Sequence, residues 1–416
     1  VNCMDHRLEL NQRSPKGFLA PCRVLWGPTR RRAPGRLEHL NTLSVVSDFS
    51  PGLEGVLAAK TVISLVDGQN GRLVYRGYVI ADLAEDMSFE EVAYLLWHGE
   101  LPNRAQLDEL SSQLRSKRDL KPAAVAALRG LEADSAPMDV LRTVVSAQGV
   151  MAKLQKPDLA QAVAYSAAFP TILAAFHRQR QGKDWVSPRA DLGHAANYLY
   201  MLTGEEPGPE KVQALNSYLV LLADHGMNAS TFTARVIAST DSDLASCLVG
   251  AIGALKGPAH GGAPSLVMDQ LDKIGKPENA ETWGRQALER KERFMGFGYR
   301  VYRTYDPRAK ILKAMAERLN PEFYALASKW EEVALRLLQE RHPERPQATN
   351  VEFYSAGILQ SVGLPTDLFP PTFAISRAAG WTAHVLEQVS DNRLIRPQSE
   401  YIGPEPKKPV ALADRR

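Results

Sequence analysis

The sequence predicts an all-α fold carrying one small β-hairpin near its N-terminal end. Three observations lead there. Two short β-type runs flank a single Gly- and Asn-rich turn within residues 61–76, and no second convincing pair follows. Nearly everything after that hairpin reads as helices punctuated by glycine. No pattern recurs at a fixed period, which disfavours a helical solenoid.

With 416 residues, 44% of them apolar and 23% charged, the chain has an ordinary globular balance and material for two or three folding units. That balance excludes disorder of the whole chain. The net charge of +3 is unevenly spread. Residues 1–36 carry eight Lys or Arg against two acidic residues, so the rest of the chain is mildly acidic. A nucleic-acid-binding protein would place its basic face on the folded body, so that class is disfavoured.

Taken in order, the first element is this basic extension, residues 1–46. It has Arg30, Arg31 and Arg32 and scattered Pro and Gly. It lacks the apolar stretch of a secretory signal and is too poor in Ser for a transit peptide. It reads as a disordered extension, or as upstream sequence translated from a misplaced start. Next come the strands, 61–66 and 72–76, around Asp67-Gly68-Gln69-Asn70-Gly71, where Gly and Asn suit the positive φ of a hairpin loop.

Ser88-Phe89-Glu90-Glu91 then forms a capping box, with Gly99 placed to end the helix and Pro102 beyond it. Similar units end at Gly182, Gly204 and Gly226. Residues 169–181 show the three-and-four spacing of a half-buried helix. Further helices are predicted at 103–117, 123–132, 138–148, 190–203, 209–223, 228–238, 242–255, 264–274, 279–294, 307–319, 322–341, 350–362 and 371–389. The apolar run 244–255 is far short of the roughly 20 residues of a membrane span, so it reads as a core helix. The three cysteines, Cys3, Cys22 and Cys247, show no CxxC spacing and no neighbouring His. That argues against a zinc site and for a reducing, cytoplasmic setting.

Three glycine-punctuated segments set polar groups beside long apolar helices. Asp224-His225-Gly226-Met227-Asn228-Ala229-Ser230-Thr231 puts a His at a helix junction, where backbone polar groups are unpaired. Lys256-Gly257-Pro258-Ala259-His260-Gly261-Gly262-Ala263 flanks a His with small residues just before a helix start, which favours an anion and depresses the His pKa. The third is Met295-Gly296-Phe297-Gly298-Tyr299-Arg300-Val301-Tyr302, followed by Asp306-Pro307-Arg308. Each alone has an ordinary structural explanation, such as capping or packing. His384, Trp97, Trp381 and Cys247 read as packing residues, and His98 and His177 as caps or surface.

Together with Asn350-Val351-Glu352-Phe353-Tyr354-Ser355, Phe373 to His384, Leu394 to Pro397 and Gly71-Arg72-Leu73-Val74-Tyr75-Arg76-Gly77-Tyr78, these segments resemble the signature of citrate synthases, best the short bacterial and archaeal type. The resemblance runs over about residues 59–404. It implies a two-domain helical fold, placed here as a large domain at 47–262, a small mobile domain at 263–370 and a return to the large domain at 371–416. It implies a homodimer that condenses acetyl-CoA with oxaloacetate and water to citrate and CoA, the entry step of the tricarboxylic acid cycle. Neither a metal nor a tightly bound cofactor is implied, acetyl-CoA being a co-substrate. No membrane or nucleic-acid partner is expected.

The resemblance assigns enolate stabilisation to His260, and oxaloacetate binding to His225, Arg308, Arg377 and Arg396, the last reaching into the partner's site. It places Lys256, Gly257, Gly261, Arg303 and Lys310 near CoA. Two positions of the catalytic trio depart from the usual pattern. Tyr299 stands where His is usual, and Glu352 where Asp is usual. Tyr donates a hydrogen bond but carries no positive charge, and Glu moves the carboxylate by roughly 1 Å. Because the carboxylate-binding arginines and both histidines are kept, the pair reads as a compensated site. The rival readings are a 2-methylcitrate synthase using propionyl-CoA, a catalytically weak ligand-binding paralogue and a ligand-free helical scaffold.

Overall fold

A computed structural model of the chain describes residues 49–150, 155–298, 301–302, 304–345 and 347–415. The expected extension 1–46 and two candidate site residues, Tyr299 and Arg303, lie outside the described residues. Within residues 49–58, Pro51–Leu53 forms one short 3-10 turn. Ala59–Arg416 makes a second compact unit, which holds every other element.

The hairpin is present. Strand β1 (Ser64–Asp67) pairs antiparallel with β2 (Arg72–Tyr75), Ser64 facing Tyr75. A third strand, β3 (Tyr78–Val79), adds to β2 through a turn in which Arg76 and Gly77 both take positive φ, the geometry of a two-residue hairpin. Helix α1 (Ile80–Asp86) follows at once. Sequence reasoning placed neither β3 nor α1. The strand has two residues, and Val79 at the helix start offers no capping side chain, so no start signal exists to be read.

Fifteen longer helices follow: α2 (Phe89–His98), α3 (Arg104–Ser116), α4 (Pro122–Arg129), α5 (Pro137–Val150), α6 (Leu159–Gln179), α7 (His194–Thr203), α8 (Pro209–Leu222), α9 (Ala229–Ala238), α10 (Leu244–Lys256), α11 (Ala263–Ile274), α12 (Ala280–Glu289), α13 (Pro307–Leu319), α14 (Pro321–Arg341), α15 (Val351–Ser361) and α16 (Phe369–Ser390). The capping box at Ser88 is formed, and Gly99 closes α2 at φ 94°. Helix α7 starts four residues later than expected. The Arg118 guanidinium donates to the Arg189 and Leu192 carbonyls and pins that stretch as a loop. Helix α12 stops five residues early, two before Lys291, which takes the left-handed conformation.

Helix α6 corrects a second expectation. It is not half-buried: between Ala162 and Phe176 residues all round it are buried, against α3, α5, α7 and α16. It is long and apolar enough to cross a membrane, but most of its length lies inside the core. Helix α16 is buried likewise, with Trp381 and Arg377 enclosed. Burying each large apolar side chain of this kind contributes about 1.5–3 kcal/mol. The two core helices matter for function because the ends of α8, α10, α13 and α15 carry the candidate residues.

Candidate active site

His225 lies between α8 and α9, buried, its ring edge-on to Tyr302 and its Nε2 3.0 Å from the Tyr302 hydroxyl. The loop that presents it is held on all sides. The Tyr75 hydroxyl donates to the Asp224 carbonyl at 2.7 Å, and the Ser64 hydroxyl donates to Asp224 Oδ2 at 2.5 Å. Gly226 N–H also donates to Asp224 Oδ2, at 2.9 Å. The hairpin therefore positions the loop. Burial, then the charges of Arg308 and Arg377, hold His225 well below the ordinary imidazole value, so it is neutral.

His260 stands in the turn between α10 and α11. That turn folds back on α10, with Gly261 N–H donating to the Leu255 carbonyl at 2.9 Å. A Cβ at Gly261 would meet Leu255 at 2.6 Å, so only glycine allows the approach. His260 Nε2 lies 2.9 Å from the Ser230 hydroxyl, which also accepts from Trp381 Nε1 at 3.0 Å. This contact orients the ring. Burial, then Arg377, lower the His260 pKa to about 4. A neutral imidazole suits hydrogen-bond donation to an enolate.

Arg308 opens α13 and is buried. Asp306, equally buried, caps the helix through Arg308 N–H at 2.9 Å and forks the guanidinium at 3.1 and 2.8 Å. Arg377 projects from α16. Its Nε donates to the Leu222 carbonyl at 2.8 Å, and its guanidinium lies 4.7 Å from the Phe373 ring centre. Phe373 is also edge-on to His260 at 6.5 Å. Glu352, in the first turn of α15, is buried, with Oε2 lacking a hydrogen-bond partner among the described residues. Burial raises its pKa against the opposing pull of Arg308 and Arg377.

The structure therefore brings His225, His260, Arg308, Arg377 and Glu352 into one electrostatic cluster from four helix ends and α16. Two fixed cations, one of them paired with Asp306, two neutral imidazoles and an unsatisfied carboxyl can hold a small dianion beside a base. The remaining candidates lie apart. Arg396 is exposed beyond α16 and makes no hydrogen bond or ion pair among the described residues. Lys256 is bound to Asp139 at 2.6 Å, and Gly257 ends α10. Lys310 sits on the wall of a cavity of about 850 Å³, with Tyr305, Met315 and Arg318. Among the described residues, no three of His, Cys, Asp and Glu gather as a metal-holding group.

Sequence reasoning missed Ser230, Asp306 and the supports of Asp224. Ser230, Asp306 and Tyr75 lie inside the quoted motifs and Ser64 in the first predicted strand, but the roles of Ser230 and Asp224 depend on partners far away in sequence: Ser230 on Trp381, and Asp224 on Ser64 and Tyr75. Spacing alone does not show such pairs.

Comparison with known proteins adds the following. Residues 52–398 match the family model described as citrate synthase, C-terminal domain. A citrate synthase of Haloferax volcanii is 48% identical over 366 residues, covering 86% of this chain and 96% of the relative. A Bacillus subtilis protein named citrate synthase 2 is 46% identical, covering 88% and 98%. A 2-methylcitrate synthase of Mycobacterium tuberculosis is 41% identical, covering 86% and 91%. The citrate synthase structure from Thermotoga maritima superposes with a TM-score of 0.80 at 42% identity, covering 88% of this chain and 98% of that one. The citrate synthase of Thermoplasma acidophilum, solved as a ternary complex with carboxymethyl coenzyme A and oxaloacetate, gives 0.83 at 32%, covering 88% and 100%.

Proposed function

The chain belongs to the citrate synthase family, and from that premise we propose that it condenses acetyl-CoA with oxaloacetate and water, releasing citrate and CoA. The observation that carries this reading is the cluster itself: Arg308 and Arg377 bear on both His225 and Glu352, and Arg377 on His260 as well.

In this reading Arg308 and Arg377 bind the carboxylates of oxaloacetate, with His225 beside them and Arg396 supplied by a partner subunit. Glu352 removes a proton from the acetyl methyl group while His260 donates to the developing enolate oxygen. The enolate carbon then attacks the oxaloacetate ketone, whose oxygen takes a hydrogen bond from Tyr299. Water cleaves the resulting thioester, the acyl carbon gaining hydroxyl and the CoA sulfur gaining a proton. Burial serves the base, because a carboxylate stripped of water binds protons more readily. Lys256, Gly257, Gly261, Arg303 and Lys310 are read as the CoA side. A large domain at 47–262, a small one at 263–370 and closure between them would exclude water from the enolate. We read the protein as a cytoplasmic homodimer.

Release of free CoA thiol tests this, with oxaloacetate present and acetyl-CoA or propionyl-CoA supplied in turn. Oxaloacetate-dependent release establishes the reaction. The relative named 2-methylcitrate synthase makes the second thioester the proper comparison, since one methylene is worth only about 1–3 kcal/mol of selectivity. A kcat/KM favouring propionyl-CoA would replace the acetyl reading. Release with neither thioester, from folded protein, would leave a ligand-binding paralogue.

A further inference from the structure

Glu331, on α14, is a buried carboxylate outside the catalytic cluster, and all its acceptor capacity is used. Oε1 accepts from the Tyr305 hydroxyl at 2.8 Å and the Thr349 hydroxyl at 2.5 Å. Oε2 accepts from Lys313 Nζ at 2.5 Å and the Tyr354 hydroxyl at 2.7 Å. Burial alone would raise its pKa, but these four donors outweigh it and keep the group ionised. A charged carboxylate in a protein interior is costly unless every lone pair is matched. Here each is.

The donors come from segments that carry the chemistry. Tyr305 immediately precedes Asp306, which caps α13 and forks Arg308. Thr349 precedes Asn350, the N-cap of α15 two residues ahead of Glu352, and Tyr354 lies two residues beyond Glu352. Thr349 also bridges to Phe297. Gly298 N–H donates to the Ala348 carbonyl at 3.1 Å and Asn350 N–H to the Gly296 carbonyl at 3.0 Å. The segment leading to Tyr299 is thus paired to the segment that Glu331 holds.

We propose that Glu331 is the positioning residue of this site, one carboxylate setting the register of the Arg308 arm through Tyr305 and of the Glu352 arm through Thr349 and Tyr354. It touches no substrate. Its action is geometric: a base misplaced by about 1 Å costs on the order of 100-fold in rate. The inference rests on reading Arg308 as substrate clamp and Glu352 as base. It adds that the two arms share one anchor and are separable through its individual donors.

The test uses the full chain and steady-state kinetics for oxaloacetate, with active-site concentration and thermal unfolding measured alongside. Tyr305→Phe removes the clamp arm's hydrogen bond to Glu331 and is expected to raise KM for oxaloacetate about tenfold, with kcat within about twofold. Thr349→Val removes one of the base arm's two hydrogen bonds to Glu331 and is expected to lower kcat about tenfold, with KM within about twofold. Glu331→Gln turns two acceptor positions into donors that face donors, and is expected to move both constants, lowering kcat/KM on the order of 100-fold. If that variant does not fold, the two single-donor variants carry the test. Variants that lose thermal stability or active fraction but keep both constants per active site would overturn the proposal. So would Tyr305→Phe and Thr349→Val shifting kcat and KM together. Arg308→Leu and Glu352→Gln serve as controls: if they leave turnover intact, the clamp and base assignments fail; if they abolish it while the Glu331 variants do nothing, the anchor alone fails.

Discussion

His384 Nε2 lies 3.2 Å from Asp224 Oδ1, with neither residue exposed to solvent. The two atoms face each other at ion-pair distance. The other face of the ring sets its tautomer. His384 Nδ1 is 3.1 Å from Arg235 Nη1, and Arg235 is in turn held by Glu387 at 2.5 Å. Arg235 has only protons to offer, so Nδ1 accepts and the imidazole proton sits on Nε2, toward Asp224. Glu387 also accepts from Val62 N–H at 2.9 Å. The network thus runs from the hairpin through α16 to the residue next to His225.

This predicts acid sensitivity at Asp224. Burial would raise that carboxyl, but the His384 imidazole, the Arg377 guanidinium and the Ser64 hydroxyl outweigh it and hold it at about 2. A depressed carboxyl stabilises the fold above its unfolded value near 4, and the contribution, about 2 kcal/mol, fades as pH falls from 4 through 2. Asp224→Asn removes that dependence. It also leaves a buried guanidinium and imidazole without their anion, destabilising by roughly 3–5 kcal/mol at neutral pH. Urea unfolding at pH 3 and pH 6 checks both. Equal stability of the two proteins at pH 6 would show that the pair contributes nothing.

His194 opens α7 in the core, stacked on Phe89 at 4.8 Å, and its Nε2 has no hydrogen-bond partner among the described residues. Burial, then the Arg118 charge, bring its pKa down to about 3. The imidazole is neutral in the fold and takes a proton when unfolded, so stability falls as pH drops from about 6.5 toward 3. Full protonation would cost on the order of 4–5 kcal/mol. His194→Phe removes an unpaired polar atom and keeps the stack. It is expected to hold or raise Tm at pH 7 and to flatten the decline between pH 6.5 and 4 in calorimetry. An unchanged slope would mean other groups govern it.

What could be read from the chain, and what could not, follows from the range of each cause. The Ser88 box, the Gly99 stop and the turn at His260 are local, set by residues within one helical turn, and they stand as expected. The cluster of His225, His260, Arg308, Arg377 and Glu352 was legible through its motifs. The burial of α6 was not. Its periodicity describes one apolar face, while neighbours distant in sequence cover the rest, where α6 carries small residues such as Ala162, Ala168 and Ala174. Glu331 was also invisible, because an acidic residue in an amphipathic helix reads as solvated until Tyr305, Thr349 and Tyr354 converge on it.

Gly380 gives a test of how tightly α16 holds the loop of His225. Its N–H donates to the Ala223 carbonyl at 3.1 Å, and a Cβ there would stand 2.3 Å from that oxygen and 2.6 Å from Asp224 Oδ1. Real atoms do not approach so closely, so Gly380→Ala must push the loop away. Overpacking of this kind costs about 1–3 kcal/mol. Because the displaced segment leads to His225, KM for oxaloacetate is expected to rise about tenfold in protein that remains folded. A loss of stability with KM unchanged would separate the loop from substrate binding.

Glu352 is where sequence and structure press hardest on one another. Its carboxyl is buried in the first turn of α15 with Oε2 unsatisfied, and Tyr218, whose hydroxyl is also buried without a partner, feels its charge. Glu352→Asp withdraws the carboxylate by roughly 1 Å and is expected to lower kcat on the order of 100-fold, leaving KM for oxaloacetate nearly unchanged. Glu352→Gln removes the base and is expected to cost about 10²–10⁴ in kcat. Tyr299→His restores a group able to carry charge but does not return the base displaced in Glu352→Asp, so it is not expected to rescue that variant. Thiol-release kinetics on the single and double variants decide. A double variant faster than the parent would show that Tyr299 and Glu352 are handicaps of this chain, not a compensated pair.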